Sequence, residues 1–352
     1  MMTAPLLLWV LLLAALPADT SQPYLISAAS MRVQMAGNDK ITWLYGQVEL
    51  VHGSTVIRGD SAWVSTLLQK ATIWDHVSLQ DRSAVITGQR ADYYKLPGRA
   101  VVFGKPRAED RDWRLTSDSM AYLKPVAKSY AYGHVTMTDS SGRDRISGDY
   151  GEYWHSNGYG FITGHPRLEI LPADSAQKST TVLADTMETL QFGATAVAFG
   201  NVSLNQDSLW AGCGRLTYFR KEGRFVMEDN PRLWQADQDL RAKTIGMAFS
   251  SDTIRSFWAR DSVVLRQYAA ERPDTEIITS DSLWAEFTER KLSKALAIGN
   301  AWSRYHMNQK EKQASKNLAA GEEMQFYFTG GKIERIIIDR RARGAYLERE
   351  QP

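Results

Sequence analysis

The sequence predicts an all-β array of about nine two-to-three-strand units, with two sheets face to face around an apolar groove. Three observations predict it. A small residue followed by Asp recurs along the chain, apolar residues alternate with period two after each recurrence, and helical periodicity is nowhere sustained. In an array, function lies in a surface rather than in a handful of catalytic side chains.

The first element is an apolar run from Leu6 to Leu16 followed by Pro17 and Ala18, which suits a secretory signal over residues 1–18. It falls short of the roughly 20 apolar residues of a spanning helix. No Lys or Arg precedes the run, so cleavage and retention as an amino-terminal anchor both stay open. A periplasmic chain is expected. Its single cysteine, Cys213, allows no intramolecular disulfide, so stability has to come from burial. The net charge of +2, with acids and bases interleaved, gives no basic stripe and speaks against a nucleic-acid partner.

The repeat begins with the small–Asp pair: Gly59-Asp60, Ala91-Asp92, Ser117-Asp118, Gly148-Asp149, Ala184-Asp185 and Ser280-Asp281. Cys213-Gly214, Ala242-Lys243 and Gly321-Glu322 fit with the acid replaced or exchanged, giving intervals of 26 to 41 residues. Apolar residues sit two and four positions after the Asp column, as in Met120/Tyr122 and Leu216/Tyr218, the mark of a strand with one buried face. A Gly-, Ser- and Lys-rich turn follows, then a second strand running into a short punctuation such as Gly46-Gln47-Val48, Asp75-His76-Val77, Gly133-His134-Val135 or Gly200-Asn201-Val202. In five units the step from the Asp column to the punctuation is fifteen residues, which independent loops would not reproduce.

Before the Asp the apolar residues fall at minus three, and after it at plus two, so the parity flips. An unbroken strand keeps its faces, and a corner or bulge is therefore expected at Asp60, Asp92, Asp118, Asp149, Asp185 and Asp281. Their expected role is structural. Alternation continues past the punctuation, and Val48, Leu50, Val77, Leu79, Val135, Met137, Leu168, Val202, Leu204 and Val263 are the candidates for lining an apolar trough. The same residues would equally fill a closed core. The polar insert at 171–182 divides the array into expected lobes of 24–170 and 171–345, with a polar tail at 346–352 and continuity between the lobes left open.

His76, His134 and His165 share one column, which raises a metal reading, yet no acid or Cys shares it and turn-polar roles are favoured. Cys213 stands in a small-residue column and reads as a buried, inert thiol. The scattered tryptophans would suit a carbohydrate platform if exposed and would otherwise close the ends of a core. No nucleophile elbow, zinc-protease helix or phosphate loop is present, so neither enzyme chemistry nor a cofactor or metal is expected. A polysaccharide-acting β-helix would share the Asp ladder but would need carboxylates converging on one exposed face. A transmembrane barrel wants strands of roughly nine to eleven residues, whereas the alternating runs are about five to seven.

The unit small–Asp–x–apolar–x–aromatic, turn, strand, Gly–Asn/His–Val–x–Leu, repeated behind a signal, resembles the OstA-like domain of lipopolysaccharide-transport proteins over residues 25 to 345. That resemblance implies a β-jellyroll, or β-taco, in the periplasm that carries the acyl chains of lipopolysaccharide or a related glycolipid along a hydrophobic groove. It also implies head-to-tail edge pairing with other jellyroll-domain transport proteins, for which the apolar strand at 332–340 is the candidate edge. The chain is longer than the usual small bridge component and lacks the outer-membrane component's carboxy-terminal barrel.

Overall fold

Period-two alternation does give strands, and they run longer than the sequence runs: Asp39–His52, Thr55–Ser65, Lys70–Asp81 and Ala84–Tyr94 each carry 11 to 14 residues. At Gly46, Asp75, Gly133, Gly200, Asp261 and Gly299 the two short runs on either side of the punctuation are one bent strand, whereas at Gly104, Gly164 and Asp229 they are separate strands. The computed structural model describes residues 25–82, 84–109, 113–172, 178–250, 253–268, 276–288, 291–307, 315–329 and 332–347. The expected signal lies outside them, as do residues 348–352 of the expected tail. Among the described residues all regular structure is strand, apart from single 3-10 turns at Lys124–Val126 and Arg220–Glu222.

The chain forms two compact units, one of residues up to 108 together with 119–130, the other of 109–118 together with 131 onward. The boundary expected at residue 170 falls inside the second unit, where Arg167–Ile170 pairs directly with Thr180–Leu183.

The bend has a specific backbone origin. Each punctuation is two consecutive residues in the left-handed region: Gly46 and Gln47 at φ 75° and 49°, Gly133 and His134 at 71° and 45°, Gly200 and Asn201 at 70° and 46°. Opposite each pair the register slips. Arg58 faces Ser78 and Ser61 faces Trp74, so Asp75 and His76 together oppose the single residue Asp60. This is a bulge, and it turns the strand sharply. The corner expected at the Asp is thus built by two strands, with the Asp on one and the left-handed pair on its neighbour.

Because the strands bend, one strand serves two half-sheets. In the second unit Asp144–Ser147 pairs with Arg167–Ile170, whereas Tyr150–Trp154 of the same strand pairs with Tyr159–Thr163. Further along, Leu209–Gly212 pairs with Arg232–Gln235 and Arg215–Phe219 with Arg224–Glu228. In both units the inward residues on either side of the bend are buried, as with Leu44 and Val48, Ile73 and Val77, Ala131 and Val135, and Ala198 and Val202. Each Val, Leu or Ile side chain among them contributes about 1.5–3 kcal/mol when fully buried.

The strand lengths remove the length argument against a membrane barrel. The inward, apolar burial is what opposes it, since a barrel of that kind turns its apolar face outward. Gly133→Ala is expected to cost about 1–3 kcal/mol, because its backbone is left-handed and a Cβ would stand 2.4 Å from Asp118 Oδ2. Gly142→Ala, also left-handed but with nothing within 4 Å, should cost less. Urea midpoints of the two variants decide it.

Candidate functional site

At the outer side of each bend the Asp column meets the second residue of the left-handed pair. His76 Nδ1 lies 2.7 Å from Asp60 Oδ2, His134 Nδ1 2.7 Å from Asp118 Oδ2, and His165 Nδ1 3.3 Å from Asp149 Oδ2. Asn201 Nδ2 donates to Asp185 at 2.9 Å and Asn300 Nδ2 to Asp281 at 3.0 Å. The two sequence columns, separate in the chain, are one local device. The amides of Asp118 and Asp185 also donate to the carbonyls at their bulges. The His column therefore does have an acid beside it, supplied by the neighbouring strand, and at each of the three His bends the imidazole meets one carboxylate of that column. Among the described residues no three metal-binding groups cluster.

Asp92 does not occupy this position. Gln89 does: Trp74 faces Arg90 and Val77 faces Gly88, which leaves Gln89 opposite Asp75 and His76. Asp92 is instead a buried strand residue with Lys70 Nζ at 3.3 Å and Arg90 at 3.7 Å. The signal was present in the chain, because Gln89 stands fifteen residues before Gly104, the same step as from the Asp column in the regular units. A further left-handed pair, Arg340 and Arg341 at φ 59° each, went unread. It faces Glu322, whose carboxylate takes Arg341 Nε at 3.3 Å, an ion pair in place of the Asp–His bond.

All ten candidate lining residues point inward. Val48, Leu50, Val77 and Leu79 belong to the first unit, and Val135, Met137, Leu168, Val202, Leu204 and Val263 to the second; none is more than 5% exposed. Their surroundings are apolar, and beside Met137 the second unit leaves a small apolar gap lined by Leu115, Ile146, Ile162 and Met187.

The tryptophans follow the opposite parity. Trp43 faces Trp63, Trp210 faces Trp234 and Trp258 faces Trp284 across neighbouring strands, and Trp43, Trp210 and Trp284 are exposed. They sit on the outer faces and do not close the core, except for buried Trp113. Cys213 is half-buried, and burial pushes its thiol up to about 12, so it stays protonated at neutral pH.

Opposite the bends the two half-sheets meet at a seam, which the sequence did not reveal. In the first unit Tyr93 Oη lies 2.7 Å from His52 Nδ1, Tyr122 Oη donates to Asp81 at 2.7 Å, and Lys124 Nζ donates to the His52 carbonyl at 2.8 Å. Burial, with the Asp81 charge nearby, holds both phenols well above their ordinary range. In the second unit Arg220 on one half-sheet bonds Asp139 and, at 2.9 Å, Asp144 on the other. Burial opposes ionisation of both acids. Hydrogen bonds from Ser141 and the Asp144 amide, with Arg220, overcome it at Asp139, while Asp144 stays raised. Trp113 Nε1 adds a bond to the Phe192 carbonyl at 2.9 Å.

No family model and no curated protein matches the chain. Solved structures do match. One is the crystal structure of LptH, the LptA-homologous periplasmic component of the conserved lipopolysaccharide transport device from Pseudomonas aeruginosa. The two are 11% identical, the match covers 74% of this chain and 97% of that one, and the TM-score is 0.14. Among the described residues no helix is long and apolar enough to cross a membrane.

The Asp–His bonds set a pH dependence. Hydrogen bonding and charge from Asp60 and Asp118 raise His76 and His134 above 6.5. The charged pairs therefore contribute fully below that value, and the contribution fades as pH rises through the folded midpoints. NMR titration should give midpoints above 6.5 for both imidazoles. Asp118→Asn should return His134 toward its ordinary value and leave His76 unmoved.

Proposed function

We propose that this chain is a periplasmic carrier that takes up acyl chains of lipopolysaccharide or a related glycolipid between its two half-sheets, as one component of outer-membrane assembly. The observation that carries the reading is the set of ten apolar column residues turned to the inner face of each unit by the same bend, with the polar partners of the bend kept outside. Such an interior suits a hydrocarbon, since each lipid methylene transferred into it contributes about 0.8 kcal/mol. The OstA-like repeat pattern in the sequence supports the same reading.

In the structure the lining residues are buried within each unit. Uptake thus requires the half-sheets to part, with the bends as hinge. Edge strands fit a role in a chain of jellyrolls. Ser30–Ala36 pairs with the strand beginning at Asp39 and is exposed at all seven residues, with Met31, Val33 and Met35 uncovered. In the second unit Lys332–Asp339 pairs with Ser315–Thr329, which supports its reading as a candidate edge.

A second reading, attachment to polysaccharide, has one observation in its favour: the outward tryptophan pairs. Such pairs also stabilise neighbouring strands by about 0.2–1 kcal/mol on their own.

Native mass spectrometry of protein purified from periplasm, with lipid extraction of the same sample, tests the proposal. Bound lipopolysaccharide or lipid A is expected, and its loss in a Val135→Asp variant that still melts cooperatively. Protein that is free of lipid and ignores added lipopolysaccharide would overturn carriage and leave the polysaccharide reading in front.

A further inference from the structure

The Arg220 seam of the second unit encloses a cavity of about 530 Å³, within the roughly 300–1,000 Å³ typical of small-molecule sites. Its walls come from both half-sheets. Asp139, Asp144 and Ile170 line it from one side, and Tyr218, Phe225 and Phe249 from the other. The aromatic wall is continuous, with Tyr218 stacked on Phe225 at 4.5 Å and Phe225 edge-on to Phe249 at 5.5 Å. Ile170 is the neighbour, along one strand, of buried Leu168 in the apolar column. Arg143, Lys178 and Lys221 stand at the rim, with Glu222 beside them and Lys178 paired to Asp207 at 2.5 Å. The cavity thus joins a basic rim to an aromatic wall that includes buried Phe225.

Across it lies a single latch. Arg220 is 27% exposed, whereas the carboxylates it bridges are 0% and 8% exposed. A solvent-reachable cation thus holds two buried anions from the opposite half-sheet. The seam of the first unit is of another kind, made by phenols 1% exposed that are locked into the core. An ion pair of this sort is costly to leave half-made, because removing one partner strands buried charge. It can be exchanged, however, when an incoming anion offers the guanidinium a phosphate or carboxylate of equal geometry.

We infer that this cavity is the side entrance through which an acyl chain of an anionic lipid reaches the interior of the second unit, and that Arg220 is the latch holding it shut. The inference rests on the carrier reading and adds to it the place and the polarity of entry. The tail passes between Ile170 and the aromatic wall. The head group remains at the rim, where Arg143 and Lys221 match its charge, and Arg220 trades a protein carboxylate for it.

Stopped-flow uptake of cis-parinaric acid, a fluorescent fatty-acid anion, by the full chain tests this. The triple variant Asp139→Asn, Asp144→Asn and Arg220→Met removes the latch without stranding a charge. Arg224→Met is the comparison, since Arg224 pairs with Glu222 on the same turn at 2.8 Å and does not bridge the half-sheets. The triple variant is expected to load the probe about tenfold faster than wild type, as a loosened lid would, with Arg224→Met at the wild-type rate. Should the triple variant fail to melt cooperatively, Asp144→Asn alone keeps the Asp139 bond and should accelerate uptake in the same direction. Equal rates in wild type and the unlatched variants, with all loading the probe, would overturn the entrance and leave carriage standing. If no protein takes up the probe, carriage and entrance fall together.

Discussion

Two consecutive residues with left-handed backbone, repeated along the chain, are the constraint on which everything else hangs. Each such residue other than glycine costs roughly 1–2 kcal/mol, which is why Gly leads most pairs and Asn, Asp or His supplies much of the rest. The cost is offset on both sides of the bend. Outside, the Asp column accepts a bond from the second residue of the pair. Inside, bending lets a single strand bury apolar residues from both its halves against each other. A straight strand of the same composition would leave half of that surface in water.

This arrangement separates structure from function along the thickness of the molecule. Charge and aromatic stacking lie on the outer faces, where Arg260 sits over Trp258 and Arg232 over Trp234. The ten lining positions are aliphatic or methionine side chains, and the buried rings and acids, such as Tyr93, Tyr122, Asp81 and Asp139, stand at the seams. Under the proposed carriage such an interior would read no functional group of its ligand, only its apolar surface, and discrimination would have to come from the rim, where charged side chains meet solvent.

The seams show the opposite economy. Asp139 and Asp144 have side chains 0% and 8% exposed, both held by Arg220 from the opposite half-sheet. Buried carboxylates of this kind add little net stability over an apolar filling. They do make the closed arrangement specific, because a half-sheet shifted along its neighbour would strand the charge.

Sequence alone determined the all-β class, the period of the array and the inward face, since side-chain alternation is fixed by strand geometry and needs no partner to be read. Leu79, Val135 and Leu204 were legible as inward-facing residues for that reason. It also marked most bends, because left-handed backbone selects Gly, Asn and Asp. It misplaced Asp92, where a small–acid pair occurs three residues past the true bend at Gln89, and it missed Arg340–Arg341, where an ion pair replaces the usual residues. The partnership of the Asp and His columns, the outward parity of the tryptophans and the seam at Arg220 were decided by tertiary structure alone. Each joins residues on different strands, up to 81 positions apart for Arg220 and Asp139, and no local preference records which strand will lie across from which.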